Sequence, residues 1–469
     1  MFILRDVLEK EAGLSVSEKQ MNGRKVADIN EYLMAQVRDG DETILDVSCG
    51  DGRFGAALKT GKTRRVFGVE ADPFLASLAK TNLDAVYQID ITKSLPPIAR
   101  GSVDCIVLDG ILERIDDPVR LIQRLKPLLS ATGQFVCAIL NGQHFSALGS
   151  MIAGDFQYQE KGILSRKHIR FYGRANVQKM FLDSGCMPHF GEPERRPVPQ
   201  EILNACRPLA QQMKINPDFL AEKAAVYQYI FAGVPMAPAE ATTGSITFVV
   251  AVNNPRQFQD NLLASPVVRN GRHEVVPVIG AGSAGEALKA GLAMSRGVGD
   301  FVVLLHQDIY LPRGWDDKLI SQMTAAEQKF GPVGVAGVFG VLNEGGTFER
   351  AGKLIDRVTA FSSDRPLPAR ATSLDEIVLA FPRGSPAMAG IANDLGFHWY
   401  GSEACFSAAE NGLAAIVVDA PCLHNTEAGY TVKADFMKSS QTFAARRSSS
   451  FPYASTCAAL SRDGGISVW

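Results

Sequence analysis

ILDVSCGDG, at residues 44–52, is the stretch from which the fold is read. Ile44, Leu45 and Val47 read as the end of a buried parallel strand, which Asp46 closes. Gly50, Asp51 and Gly52 make a tight turn into a helix starting near Arg53, with glycine where backbone bends sharply and approaches a ligand. VFGVEAD (66–72) follows as a second apolar strand ending at Glu70. A carboxylate at the tip of a second strand can accept both hydroxyls of a ribose. Strand, turn, helix, strand and acid form one nucleoside-binding βαβ unit. The turn lacks the GxGxxG spacing that aims helix N–H groups at a pyrophosphate. Asp46, just before it, would repel phosphate and could hold an ammonium.

The 469 residues imply two or three domains with ample apolar material for their cores. The net charge of −2 comes from interspersed charges, with no basic block or aromatic-basic ladder for a nucleic acid. The 8 cysteines are scattered without CxxC or zinc spacing, so reduced thiols in a cytoplasmic protein are expected. The opening MFILRDVLEKEAG meets acids too early for a signal peptide. No apolar run is long enough for a transmembrane helix. Residues 1–43 are expected to pack on the sheet or cover the nucleoside pocket.

Asp46, Ser48, Gly50 and Gly52 resemble motif I of class I S-adenosylmethionine-dependent methyltransferases, with Ser48 at the family's usual first glycine. The resemblance implies a Rossmann-like sheet over residues 1–235 and S-adenosyl-L-methionine as cofactor, with Glu70 on the ribose. Asp90, ending AVYQIDI (85–91), matches the family's adenine-contacting acid; an ordinary strand-end Asp is an equal reading. SVDCIVLDGILERIDDP (102–118) supplies a fourth strand, with Leu112-Glu113-Arg114 where the family often has Leu-Glu-His. A guanidinium stays protonated, so Arg114 is no general base.

NGQHFSALGSMIAGDFQYQEKGILSRKHIRFYG (141–173) resembles the acceptor-side insertion of sugar- and polysaccharide-associated methyltransferases, through Asn141, His144-Phe145, Gly154-Asp155-Phe156 and His168-Ile169-Arg170-Phe171. O-methylation needs a base near the hydroxyl, and imidazole titrates near neutral pH. His144 and His168 are the candidate bases, His144 evenly balanced against a structural role and His168 favoured, with Arg170, to tie down a lid. Phe145, Phe156, Tyr158 and Tyr172 are expected to pack that lid or stack on a sugar.

MAPAEATTG (236–244) is small, Pro-containing and patternless, and reads as a linker. A new α/β pattern then restarts with SITFVVAVNNP (245–255). Ser283 with Glu286 is a capping box. Phe301–Leu305 is a buried strand ending in His306-Gln307-Asp308, an edge where α/β sheets bind ligands. Residues 245–430 resemble the GT-A fold of family 2-like glycosyltransferases, whose Asp-x-Asp holds a divalent cation bridging a nucleotide-sugar diphosphate. Only Asp308 supplies a carboxylate here. Asp308 with His424, the counterpart of a C-terminal histidine in that fold, is the implied metal site, with Mn2+ or Mg2+; a loop histidine without a ligand is an equal reading for His424. Lys289 reads as an exposed helix lysine. Tyr400-Gly401-Ser402-Glu403 matches the segment that carries the family's general base, placing Glu403 in that role, with a helix N-terminal acid as the alternative. Residues 431–469 show no core pattern and are expected to be a mobile tail or lid.

The chain therefore reads as a bifunctional two-domain α/β transferase. The first half would methylate a hydroxyl of a glycan or sugar-derived acceptor, and the second would transfer sugar from a nucleotide-sugar donor, as in polysaccharide biosynthesis. Peripheral association with a membrane-bound glycan assembly fits that reading. An active methyltransferase fused to a non-catalytic nucleotide- or glycan-binding module is the alternative, and tailoring of an aminoglycoside-like metabolite a weaker third.

Overall fold

The computed structural model describes residues 29–152, 154, 156–212, 216–426, 434–461 and 465–468. Two compact units divide at Met236 and Ala237.

In the first unit, strands β1 (Thr43–Val47), β2 (Arg65–Val69), β3 (Ala85–Tyr87), β4 (Val103–Asp109), β5 (Leu129–Leu140), β6 (Cys186–Phe190), β7 (Glu194–Arg195) and β8 (Val226–Pro235) form one sheet. Its order is β3-β2-β1-β4-β5-β8-β6, with β7 on β8. Strands β1 to β5 are mutually parallel, and β8 runs antiparallel to β5 and β6. The apolar runs are continuous because both faces are covered. Leu45, Val47, Ile106, Leu108, Phe135 and Cys137 pack into one cluster. Their alternates Ile44, Cys105, Val107, Val136 and Ala138 pack into another. The third strand is shorter than the apolar run suggests, stopping at Tyr87, since Asp90 turns the chain by accepting from the Thr92 amide at 3.0 Å.

The second unit follows the same logic with a mixed sheet. Its strands are β9 (Ile246–Val252), β10 (Glu274–Ile279), β11 (Phe301–His306), β12 (Ile309–Tyr310), β13 (Val333–Gly337), β14 (Phe339–Glu344), β15 (Thr347–Asp356), β16 (Thr359–Ser362), β17 (Ala369–Arg370), β18 (Ser373–Leu374), β19 (Val378–Pro382), β20 (Ala414–Val417) and β21 (Cys422–His424). The main sheet runs β10-β9-β11-β19-β13-β20-β17. Strands β10, β9 and β11 are parallel, and β19 opposes β11 and β13. A second sheet, β12-β21-β15-β14-β18 with β16 on β15, is built from strands that alternate with those of the main sheet along the chain. The Ser283 hydroxyl accepts the Glu286 amide at 3.1 Å, but the Glu286 carboxylate reaches back to the Gly282 amide, one residue beyond the expected cap. Lys289 is exposed on that helix, as expected.

The C-terminal segment departs from the expectation of a coreless tail. Ala434–Arg447 is a helix, and β22 (Tyr453–Ala454), β23 (Ala458–Leu460) and β24 (Ile466–Val468) form a small antiparallel sheet. Phe443, Tyr453, Ala458 and Leu460 build a core with Leu395 and Trp399. The Trp399 and Phe443 rings stack at 4.5 Å, and the Trp399 indole donates to the Ser440 hydroxyl at 2.8 Å. The segment's apolar partners lie far back in the chain, so its own sequence carries no periodic signature. Expectations for residues 1–28, Asp155 and 427–433 fall outside the described residues.

Candidate functional sites

In the first unit the turn after β1 is built from left-handed backbone: Ser48, Gly50 and Gly52 have φ of 67, 58 and 79°. The amides of Ser48 and Cys49 both donate to the Val69 carbonyl, at 2.8 and 3.0 Å, so the turn is hung from the end of β2. A Cβ on Gly52 would lie 3.0 Å from the Ala79 Cα. Glu70 binds the loops together: one carboxylate oxygen accepts the Gly50 amide and the other the Asp72 amide, each at 2.9 Å. Second lone pairs remain on both oxygens for ribose hydroxyls. Asp46 is 3 % exposed, and burial, then Asp109 and Glu70, push its pKa up to about 8. Among the described residues no hydrogen bond reaches its carboxylate, so a cationic ligand fits there and a phosphate does not. Asp90 is held by Thr92 and Lys93, which lower its pKa.

Two acids complete this edge that sequence reasoning did not assign. Asp109 ends β4 half-buried, and burial raises it to about 6 although Arg114 opposes the shift. Glu113 is 1 % exposed; one oxygen accepts the Leu140 amide at 2.9 Å and the other has no partner. Asp109 ends its apolar strand much as Asp46 marks the end of β1, and that parallel was the available signal.

The 141–173 segment is stitched to the loop after β4. Ile169 and Arg170 amides donate to the Glu113 carbonyl at 2.9 and 3.1 Å, Arg170 Nε to the Ile115 carbonyl at 3.0 Å, and the Tyr172 hydroxyl to the Leu112 carbonyl at 3.1 Å. His168 Nδ1 meets the Ile163 carbonyl at 3.0 Å. Asn141 is wholly buried, donating to the Lys223 and Val226 carbonyls. His144 is also wholly buried, between the rings of Phe145 and Tyr227, with Nδ1 2.8 Å from the Ser146 hydroxyl and Nε2 unpartnered. Burial pushes its pKa down to about 4. That keeps the imidazole neutral, but the packing leaves no open approach for a sugar hydroxyl. Phe145 and Tyr172 are core residues, whereas Phe156 and Tyr158, together with Phe171, stand exposed in edge-on contact.

In the second unit, ligand atoms of His306, Asp308 and His424 all lie within 4.8 Å of one another. His306 ends β11, and Gln307 between it and Asp308 turns the other way, accepting the Asn253 and Asn254 amides. That alternation puts His306 and Asp308 together. Pairing of β12 with β21 sets Ile309 opposite His424, and the Asn425 amide donates to the Asp308 carbonyl at 2.9 Å. His424 Nε2 is 3.3 Å from Asp308, and its Nδ1 is 3.1 Å from Asp356. Burial opposes charge on both partners, yet Asp308 and Asp356 raise His424, and His424 holds Asp308 well below the usual carboxylate range. Two imidazoles and a carboxylate at this spacing fit a Mn2+-like cation, with Asp356 orienting the His424 ring from behind. His306 was not among the ligands expected from sequence, which were Asp308 and His424. Behind it, Tyr400 Oη is 3.4 Å from His306 Nε2 and donates to the Glu376 carbonyl at 2.6 Å.

Glu403 does not face an open acceptor path. It is 1 % exposed, and its oxygens accept from Arg446 at 3.1 Å and from Arg447 at 3.0 and 2.5 Å. A carboxylate bound by two guanidiniums serves as an anchor for the C-terminal helix, and proton abstraction would have to break that anchor.

Residues 45–137 match the family described as "Methyltransferase domain". The first unit thus carries a methyltransferase domain in a Rossmann-like α/β fold. Among solved structures, the chain is similar to a putative methyltransferase in complex with the Trm112 activator from Haloferax volcanii, at 18 % identity over 45 % of this chain and 90 % of that one, TM-score 0.32. It is similar to a SAM-dependent methyltransferase from Thermotoga maritima, described as a possible histamine N-methyltransferase, at 15 % identity over 44 % and 86 %, TM-score 0.31. YcgJ from Bacillus subtilis is similar at 14 % identity over 44 % and 97 %, TM-score 0.31. Likenesses this distant say nothing of acceptor or donor. No curated protein matches the chain. Among the described residues no helix is long and apolar enough to cross a membrane.

Proposed function

We propose that this protein is a bifunctional cytoplasmic transferase. Its first unit transfers a methyl group from S-adenosyl-L-methionine to a hydroxyl of a glycan or sugar-derived acceptor. Its second unit binds a nucleotide-sugar with Mn2+ or Mg2+ and transfers the sugar, in polysaccharide biosynthesis and in peripheral contact with a membrane-bound glycan assembly. For the first unit, the observation that carries the reading is the methyltransferase-domain match over 45–137, which opens on a left-handed turn beside a buried acid that no hydrogen bond reaches among the described residues. Asp46, Ser48, Gly50 and Gly52 would hold the methionine end of the donor, and Glu70 and Asp90 its nucleoside. The donor supplies an electrophilic methyl on a good leaving group, so the chain's part is proximity and orientation. The exposed Phe156, Tyr158 and Phe171 offer a stacking face for a sugar ring on the acceptor-side segment.

For the second unit, the convergence of His306, Asp308 and His424 at the C-terminal edge of β11 supports a metal-diphosphate site. A second reading, a nucleotide- or glycan-binding module without turnover, is favoured by one observation: Glu403, the expected base, is engaged by Arg446 and Arg447. All three tryptophans, Trp315, Trp399 and Trp469, lie in the second half, so their fluorescence reports on it within the full chain. Thermal scans with nucleoside diphosphates and Mn2+ test the site. Ligand at a hundred times its dissociation constant adds about 2.7 kcal/mol. A metal-dependent rise that Asp308→Asn and His306→Ala abolish supports it; no rise with any nucleotide removes glycosyl transfer from the reading.

A further inference from the structure

The order β3-β2-β1-β4-β5 reverses direction between β1 and β4, and ligands of open α/β sheets bind where that happens. Four carboxylates stand along the edge there: Glu70 after β2, Asp46 in β1, Asp109 at the end of β4 and Glu113 just beyond. They feel one another, since Asp109 and Glu70 both act on Asp46, and Asp109 acts on Glu113. The protein answers them unequally. Glu70 is satisfied by two backbone amides. Asp46, 3 % exposed, and Asp109, half-buried, receive no hydrogen bond among the described residues, and the second oxygen of Glu113 is buried without a partner. Arg114 is the cation acting on Asp109 and Glu113, one positive charge among four acids.

Buried carboxylates without partners cost free energy unless a cation arrives. The methyl donor carries a sulfonium; its product, S-adenosylhomocysteine, has the same adenosine, ammonium and carboxylate with a neutral thioether. We infer that the Asp46–Asp109 pair at the β1–β4 switch point makes this site select by charge, binding the cationic donor more tightly than the neutral-sulfur product. The inference rests on the methyl-donor reading of the first unit. A unit charge about 5 Å from an acid, at an effective dielectric near 20, corresponds to roughly a hundredfold before screening, and tenfold is the expected floor. Such a site sheds its product after each transfer and is weakly inhibited by it.

The test is calorimetric titration of the full chain at pH 8 with S-adenosylmethionine, S-adenosylhomocysteine and sinefungin, whose amine puts a positive charge near the sulfonium position. The wild-type protein should bind the two cationic ligands at least about tenfold more tightly than the product. Asp109→Asn should weaken both cationic ligands about tenfold and leave the product's affinity unchanged. Equal wild-type affinities overturn the inference without recourse to any variant. Equal weakening of all three ligands in Asp109→Asn also overturns it, since that is the mark of a general structural role. If none of the three binds, the methyl-donor reading fails and the inference with it, an outcome distinct from the others.

Discussion

Replacing Glu403 with glutamine separates an anchor from a catalytic base. The Glu403 side chain is 2 % exposed, while Arg447 and Arg446 are 18 % and 32 % exposed. Removing one member of a fully buried pair costs about 3–5 kcal/mol. Here each arginine keeps a second acid, Glu410 for Arg447 and Asp394 for Arg446, and both reach solvent, so the loss is smaller. Glutamine also keeps the shape and one accepting oxygen. Charge-assisted hydrogen bonds contribute about 1.5–3 kcal/mol, so Glu403→Gln should destabilise the second unit by about 2 kcal/mol. At this unit's size that lowers its midpoint by about 4–8 °C. Trp399, stacked on Phe443 of the anchored helix, supplies the fluorescence signal. A double-mutant cycle with Arg447→Met should show a coupling of about 1–2 kcal/mol, as contacting charges are not additive. A variant whose midpoint stays within about 1 °C, with zero coupling, would refute the anchor; if sugar transfer were lost in that same variant, Glu403 would be the base after all.

Ser48 holds φ of 67° where glycine would rest unstrained. Ser48→Gly should stabilise the first unit by about 0.5–1 kcal/mol, the left-handed penalty less glycine's extra unfolded-chain entropy, read as slower amide exchange over residues 43–59. Gly52→Ala should do the reverse by about 2 kcal/mol or more and abolish donor binding, because the new methyl meets the Ala79 backbone in a left-handed turn. The raised pKa of Asp46, about 8, and of Asp109, about 6, fix a pH dependence. An acid whose folded pKa exceeds its unfolded value stabilises relative to higher pH: the advantage is whole below about pH 4 and lost as pH rises to about 8. Amide protection in the first unit, corrected for the base-catalysed rise of intrinsic exchange, should fall over that window, and S-adenosylmethionine should restore it more at pH 8 than at pH 6. His144→Phe, set among Phe145 and Tyr227, should leave stability within about 1 kcal/mol, checked by the same exchange measurement.

What could be read without coordinates was what is local. The 44–52 turn announces itself because strand end, acid and glycines follow one another within a few residues, and the central strands of the two main sheets because their apolar runs are continuous. His306 stayed hidden because its role depends on Gln307 turning away and on β21 arriving from residue 422 onward. Glu403 was legible as an acid in a helix's first turn, but its partners come from a helix beginning at Ala434. The C-terminal core was illegible for the same reason: Phe443 and Tyr453 pack on Trp399 and Leu395, not on one another's periodic neighbours. Asp109 could be named from sequence, but its lack of a partner is a property of the space around it.

The acids at the β1–β4 edge and three buried acids of the second unit differ in who answers them, and this bears on what each site expects from outside. Asp316 meets the His273 imidazole at 2.8 Å and the Arg272 guanidinium at 3.1 Å. Glu403 meets two guanidiniums, and Asp308 meets His424. At these three acids, then, the protein supplies its own counter-charge, and an added cation at Asp308 must compete with His424 for it, whereas Glu376, pushed up to about 8 by burial and by Asp375, is met by backbone amides alone. At the β1–β4 edge of the first unit Asp46, Asp109 and one oxygen of Glu113 receive no hydrogen bond among the described residues, with Arg114 alone acting on Asp109 and Glu113, while hydrogen-bond donors are spent elsewhere, on Glu70 and Asp90. A folded chain retains that cost where a ligand regularly removes it. The first site is therefore built around the arrival of positive charge, which a methyl donor brings and its product carries away less of.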